Sequence, residues 1–214
     1  MDLLLLNGEE ARLMNKSVAV ILADGFEEIE ALSVIDVIRR ANILCDTVSI
    51  NNKMVKSTHG VYVEADKLLS EIDKNSYDML VLPGGLPGAD NIRDNADIVN
   101  WIKEFSNKTN KYIAAICASP QVFKTAQILS GRNITSYPGK YFKDILKESN
   151  YIDDINDMDE MVVVDNNIIT SRGPSCALSF AYKIIEVLGY DSSDLKQSML
   201  YNDFCKSIII KNNH

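Results

Sequence analysis

The chain has 214 residues, 46% of them hydrophobic and 24% charged, with a formal net charge of −8. That length suits one domain with a full core, and an acidic balance without a run of Lys and Arg argues against nucleic acid as a structural partner. The four cysteines, Cys45, Cys117, Cys176 and Cys205, are widely spaced with no CxxC pair; they suit a reducing, cytoplasmic location better than a disulfide framework or a zinc site, and with only His59 and His214 a histidine-rich metal centre is excluded.

Residues 1–16 include an apolar run at 3–6 that is too short, and wrongly flanked, for a signal peptide or a membrane span. They read as an N-terminal extension, and no later stretch is long enough to cross a membrane. Residues 17–23 (SVAVILA) predict a buried strand. Residues 27–42 predict a helix in which Ile29, Leu32 and Arg39 fall on one side, with Ala31, Val34 and Ile38 widening the apolar stripe. A strand over 43–50 follows, then a hairpin over 54–64 centred on His59-Gly60. A buried strand over 78–82 is broken by Pro83-Gly84-Gly85, and a helix covers 96–106. Residues 111–116 (KYIAAI) predict another buried strand, with a helix from 119 to 130. A short strand at 134–136 and a short helix over 139–149 come next. Residues 161–164 and 168–171 bracket the polar turn Asp165-Asn166-Asn167, and Pro174 opens a helix over 175–188. Residues 191–214 form a C-terminal tail with a short helix, and Ile208-Ile209-Ile210 are apolar enough to dock on the body. Alternating helices and near-continuous apolar strands argue for an α/β domain over 17–190, its mostly parallel sheet covered by helices on both faces.

In doubly wound sheets, sites form beyond the carboxyl ends of the strands. Three segments meet there: residues 24–30 after the first strand, Gly84-Gly85 after the 78–82 strand, and Cys117 after the 111–116 strand. Cys117 stands on a strand-turn-helix elbow, where a strained backbone presents the side chain above the sheet and small neighbours (Ala115, Ala118, Ser119) let strand and helix approach. The start of the following helix favours thiolate over thiol, which predicts an acidic, reactive cysteine. The alternative is an inert thiol packed at a strand end.

The segments ADGFEEIE (23–30), DVIRRAN (36–42), VLPGGLPGADN (81–91), AAICASP (114–120) and TSRGP (170–174) together resemble the DJ-1/ThiJ/PfpI superfamily, and specifically its DJ-1 branch, over roughly residues 17–190. The resemblance implies a flavodoxin-like three-layer sandwich, like that of class I glutamine amidotransferases. It also implies a homodimer and a site that needs no cofactor and no metal. By match of motif, Cys117 is the nucleophile and Glu30 its partner acid. A carboxyl next to a thiolate in a secluded site should share a proton with it; the alternative for Glu30 is a solvated glutamate complementing the helix dipole, as Glu27 and Glu28 do. Gly84 and Gly85 let the backbone approach the sulfur and, with the N–H of Ala118, aim donors at an oxyanion; a plain turn is the alternative. Arg172 orients an anion or, by preference, pairs with an acidic neighbour. Arg40 and Pro174 occupy positions that in this branch lie near the dimer interface and the mouth of the site.

Two departures from the pattern bear on the reaction. Tyr137 stands before Pro138 where the branch often has histidine, and Ala118 follows the cysteine where protease-like members have histidine. A Cys-His dyad is therefore missing, and peptidase activity is poorly supported. His59 sits where relatives carry arginine and reads as an exposed turn residue, or as one reaching toward a neighbouring subunit. The resemblance implies reactive-carbonyl defence: a protein deglycase, or a cofactor-independent glyoxalase acting on methylglyoxal and glyoxal. The competing reading is a redox-responsive chaperone or regulator whose Cys117 oxidises to a sulfinate held by Glu30.

Overall fold

The computed structural model describes residues 16–153 and 161–212, the last five by their backbone. Residues 1–15 of the N-terminal extension and the docking of Ile208 to Ile210 lie outside this description. The chain opens with β1 (Ser17–Leu22), whose alternate residues enter two different cores: Val18, Val20 and Leu22 on one face, Ala19 and Ile21 on the other. Alternation with no polar face is what a strand covered on both sides requires. Helix α1 (Glu28–Arg40) begins where the Glu27 side chain accepts the Glu30 N–H at 2.8 Å, and it ends in two arginines before Asn42 takes up a left-handed conformation. It buries Ala31, Val34, Ile35, Val37 and Ile38. Ile29 and Leu32, expected within the apolar stripe, instead face outward at 54% and 40% exposure, because the buried stripe is centred on the next rows of the helix.

Strand β2 (Leu44–Ser49) follows, then a hairpin of β3 (Met54–Lys56) and β4 (Tyr62–Glu64), and the two-residue β5 (Lys67–Leu68). Strand β6 (Met79–Leu82) leads through a turn to α2 (Gly88–Arg93), and α3 (Ala96–Ser106) starts at Asn95, whose side chain accepts the Ile98 N–H. Strand β7 (Tyr112–Ile116) is followed by one 3-10 turn and the four-residue α4 (Val122–Thr125). Strand β8 (Asn133–Ile134), α5 (Lys140–Ile145), β9 (Asn150–Tyr151), β10 (Val162–Asp165), β11 (Ile168–Ser171) and α6 (Ala177–Val187) complete the body. The tail carries two helices rather than one, α7 (Ser193–Ser198) and α8 (Tyr201–Asn212), and the Tyr201 ring rests edge-on against Tyr182 of α6.

The sheet order is β10-β11-β7-β6-β1-β2-β5, with every pair parallel except β10–β11. Helices α1 and α6 cover one face over a core that includes Phe180, Tyr182 and Ile184; α3 and α4 cover the other over Trp101, Phe105 and Phe123. The fold is the flavodoxin-like α/β sandwich expected from the sequence. The elements missed are the short ones: α2, β5 and β9. The expected 119–130 helix is also interrupted, since Gln127 adopts a positive φ of 58°.

At the amino end of the sheet, the buried Asn167 side chain donates to the carbonyls of Phe105 (3.0 Å), Lys108 (3.1 Å) and Lys111 (3.1 Å), fastening the α3–β7 loop to the start of β11. Asn167→Ala removes the side-chain donor shared by those carbonyls, and the Lys111 carbonyl has no other donor among the turn and loop hydrogen bonds of the described residues. It should lower unfolding stability by about 1–3 kcal/mol in urea titration, while the labelling rate of Cys117, at the opposite end of the sheet, stays unchanged.

Candidate active site

Cys117 follows β7 directly and holds φ at 63°, a conformation that costs a residue with a Cβ of order 1–3 kcal/mol. Two hydrogen bonds retain it: its N–H donates to the Ser171 carbonyl at 3.1 Å, and its own carbonyl accepts the Tyr137 N–H at 2.9 Å. The hydroxyl of Ser119, fully buried, donates to the Pro83 carbonyl and ties the elbow to the neighbouring turn. The sulfur is partly exposed and packs against Ala89, Ala118 and Phe142.

Glu30, in the first turn of α1, is fully buried. One carboxyl oxygen, Oε2, accepts the Gly84 N–H at 2.7 Å. The other, Oε1, is buried with no partner among the N–H and O–H groups of the described residues. The carboxyl and the Cys117 sulfur influence each other's ionisation. Burial pushes Glu30 up from an ordinary value of 4.5 to about 7, against the opposing pull of the Gly84 N–H. Burial also pushes the Cys117 thiol up, and the negative charge of Glu30 adds to it, while the N–H groups of Gly85 and Ala118 act in the other direction. This departs from the acidic thiol expected from the sequence. The physical reason is burial first and then the negative charge of Glu30, while the sequence expectation rested on a helix start that is here only a 3-10 turn and four α-helical residues.

The glycines have specific work here. A Cβ on Gly84 would lie 2.6 Å from both Cys117 Cβ and Glu30 Oε2, so only glycine lets this backbone pass between the two groups. Its N–H is committed to Glu30, which leaves the N–H groups of Gly85 and Ala118 as the donors directed at the sulfur. The expected trio of donors thus becomes two, with Gly84 positioning the acid.

The remaining expected residues are placed as follows. Tyr137 is half-exposed, its ring edge-on to Phe142 at 6.3 Å between centroids. Arg172 donates to the Asp153 carbonyl at 3.1 Å and lies 3.7 Å from its carboxylate. Pro174 and Arg172 line, with Tyr137 and Cys176, a cavity of about 290 Å³. Arg40 is exposed and paired with Asp36 at 2.8 Å, away from these groups in its contacts. His59 is exposed, with Nδ1 3.1 Å from Glu28 Oε2. Among the described residues, the one group with metal-ligand proximity is Glu27, Glu28 and His59, whose ligand atoms lie within 4.8 Å of one another; Glu27 already caps α1 there. Sequence reasoning missed Phe142 and Ala89 as walls of the sulfur's site, because an aromatic in a short helix and an alanine after a turn carry no signal of their own.

The DJ-1/PfpI family profile matches residues 16–187. Protein DJ-1 homolog B of Arabidopsis thaliana is 40% identical over 171 residues, covering 79% of this chain and 37% of that longer protein. The glutathione-independent glyoxalase DJ-1 of Schizosaccharomyces pombe is 32% identical over 177 residues, covering 79% of this chain and 89% of the relative. The crystal structure of Drosophila melanogaster DJ-1beta superimposes with a TM-score of 0.79 at 35% identity, covering 87% of this chain and 98% of that one.

The raised value of Glu30 makes stability depend on pH in a fixed direction. Between pH 4.5 and about 7 the folded protein retains a proton that the unfolded chain has released, so stability falls as pH rises through that window. The loss should amount to about 3 kcal/mol. Urea titrations at a series of pH values should show this slope in the native protein and its disappearance in Glu30→Gln; the same slope in both proteins would assign it to another group.

Proposed function

The chain belongs to the DJ-1/PfpI family, and on that premise we propose that it is a cofactor-independent glyoxalase, converting 2-oxoaldehydes such as methylglyoxal to 2-hydroxy acids at Cys117 and Glu30. The observation that carries this reading is the fully buried Glu30, with one oxygen anchored on the Gly84 N–H, the other without a partner among the described residues, and its carboxyl in electrostatic interaction with Cys117. Such an acid is built to move a proton over a short distance. The name of the Schizosaccharomyces pombe relative supports the same chemistry.

The pair enters the reaction holding one proton. As the Cys117 sulfur adds to the aldehyde carbon, the thiol proton passes to Glu30 and then to the new alkoxide, giving a hemithioacetal. The Glu30 carboxylate next removes the hydrogen from that carbon as a proton and returns it to the adjacent carbon, producing the thioester of a 2-hydroxy acid. Water hydrolyses the thioester and restores the thiol. The sum is one oxoaldehyde plus one water giving one hydroxy acid, so no outside oxidant or reductant is required. The N–H groups of Gly85 and Ala118 favour the charged sulfur during attack and release. Early protein adducts of the same dicarbonyls present a related carbon to the same thiol, which is how a deglycase activity would arise here. A homodimer fits the two apolar side chains, Ile29 and Leu32, that α1 leaves exposed beside Glu30.

With methylglyoxal and no glutathione, the purified protein should form lactate. Cys117→Ser should abolish turnover, and Glu30→Gln should lower kcat by roughly 100-fold or more, the scale of a general acid/base. Full activity in either variant removes that residue from the mechanism. Peptide substrates should be left intact, since no histidine accompanies the cysteine.

A further inference from the structure

The wall beside the sulfur is aromatic. Phe142 is nearly buried, and with Ala89 and Ala118 it forms the apolar cluster against which Cys117 packs. Tyr137 and Tyr141 stand edge-on to Phe142, at 6.3 Å and 69° and at 5.1 Å and 80° respectively, yet both rings remain about half or more exposed. One edge of the Tyr137 ring runs along Gly173, where an added Cβ would sit 3.6 Å from the ring. On that side opens the cavity of about 290 Å³, lined by Tyr137, Pro138, Met161, Arg172, Pro174 and Cys176. Its one cationic lining residue, Arg172, is held by Asp153. The elbow and the wall are also joined by a hydrogen bond, because the Tyr137 N–H is the group that holds the Cys117 carbonyl.

We propose that this cleft, whose one aromatic lining residue among the described residues is Tyr137, selects 2-oxoaldehydes bearing an aryl substituent, with Tyr137 as the specificity-determining side chain. The inference rests on the glyoxalase reading and narrows its substrate class. A methyl group touches little of such a cleft, whereas an aryl ring fills it and meets Tyr137 in the offset or edge-on arrangement that aromatic pairs favour. Discrimination by apolar contact in a pocket commonly spans tens to hundreds of fold for even small differences in substituent size. The reaction itself is unchanged: phenylglyoxal plus water gives mandelate through the same thiol addition, proton transfer and thioester hydrolysis.

The test compares initial rates of mandelate formation from phenylglyoxal with lactate formation from methylglyoxal. Products are separated by chromatography, and the protein's mass is checked afterwards to exclude arginine modification by the reagent. The native protein should show kcat/KM at least ~10-fold higher for phenylglyoxal. Tyr137→Phe, which keeps the ring, should preserve the ratio; Tyr137→Ala should bring it near unity, mainly through the phenylglyoxal KM. Equal turnover of both substrates by the native protein, or a ratio unmoved by Tyr137→Ala, overturns the selectivity while leaving the glyoxalase reading intact. Turnover of neither overturns the glyoxalase reading and the selectivity with it. Loss of the ratio in Tyr137→Phe would assign the effect to the hydroxyl and overturn ring packing as its cause.

Discussion

Everything at the site depends on two turns touching backbone to backbone. The turn after β1 and the turn after β6 meet with no side chain between them. A Cβ on Gly85 would strike the Gly25 carbonyl and come within 2.5 Å of the Glu27 nitrogen, and one on Gly88 would lie 2.6 Å from the Phe26 nitrogen. Because the turns are this close, the Glu27 N–H reaches the Gly84 carbonyl at 2.9 Å, and Gly84 in return donates to Glu30. Helix α1 is thereby fixed by its first turn to the loop that also borders Cys117. The position of the acid relative to the sulfur is then set by main-chain geometry, with little left to rotamer choice.

That rigidity explains how two unfavourable features persist. A non-glycine residue at φ 63° and a fully buried carboxyl with an orphan oxygen each cost free energy. They are tolerated because the elbow is bonded on both sides, to Ser171 and Tyr137, and because one carboxyl oxygen is already satisfied. Burial makes each group resist ionisation, and for the Cys117 thiol the negative charge of Glu30 adds to it.

The sequence showed the architecture clearly where physics acts locally. The β-branched apolar runs at β1, β6 and β7, and the stop signals at Gly84-Gly85 and Pro174, are direct consequences of burial on two faces and of backbone freedom. The elbow at Cys117 was legible for the same reason. What was hidden depends on partners distant in sequence: the orientation of α1, which turned Ile29 and Leu32 outward, and the commitment of the Gly84 N–H to a residue 54 positions earlier. The thiol's resistance to ionisation was hidden too, since it arises from burial under distant segments and from a carboxyl brought in by another strand–helix unit. Short elements such as β5 and β9 carry too few residues for any periodicity to register.

Replacing an imidazole by a phenol before Pro138 has consequences for chemistry as well as shape. A histidine at Tyr137 would offer a second base near the sulfur and compete with Glu30 for the thiol proton. A tyrosine there supplies no imidazole, so the proposed proton transfers fall to Glu30. The ring instead contributes an apolar surface continuous with Phe142. The same side chain lines the cavity of about 290 Å³. Under the proposed glyoxalase reading, Tyr137 bears on both the chemistry and the substrate choice, by withholding a second base and by presenting a ring to the cavity.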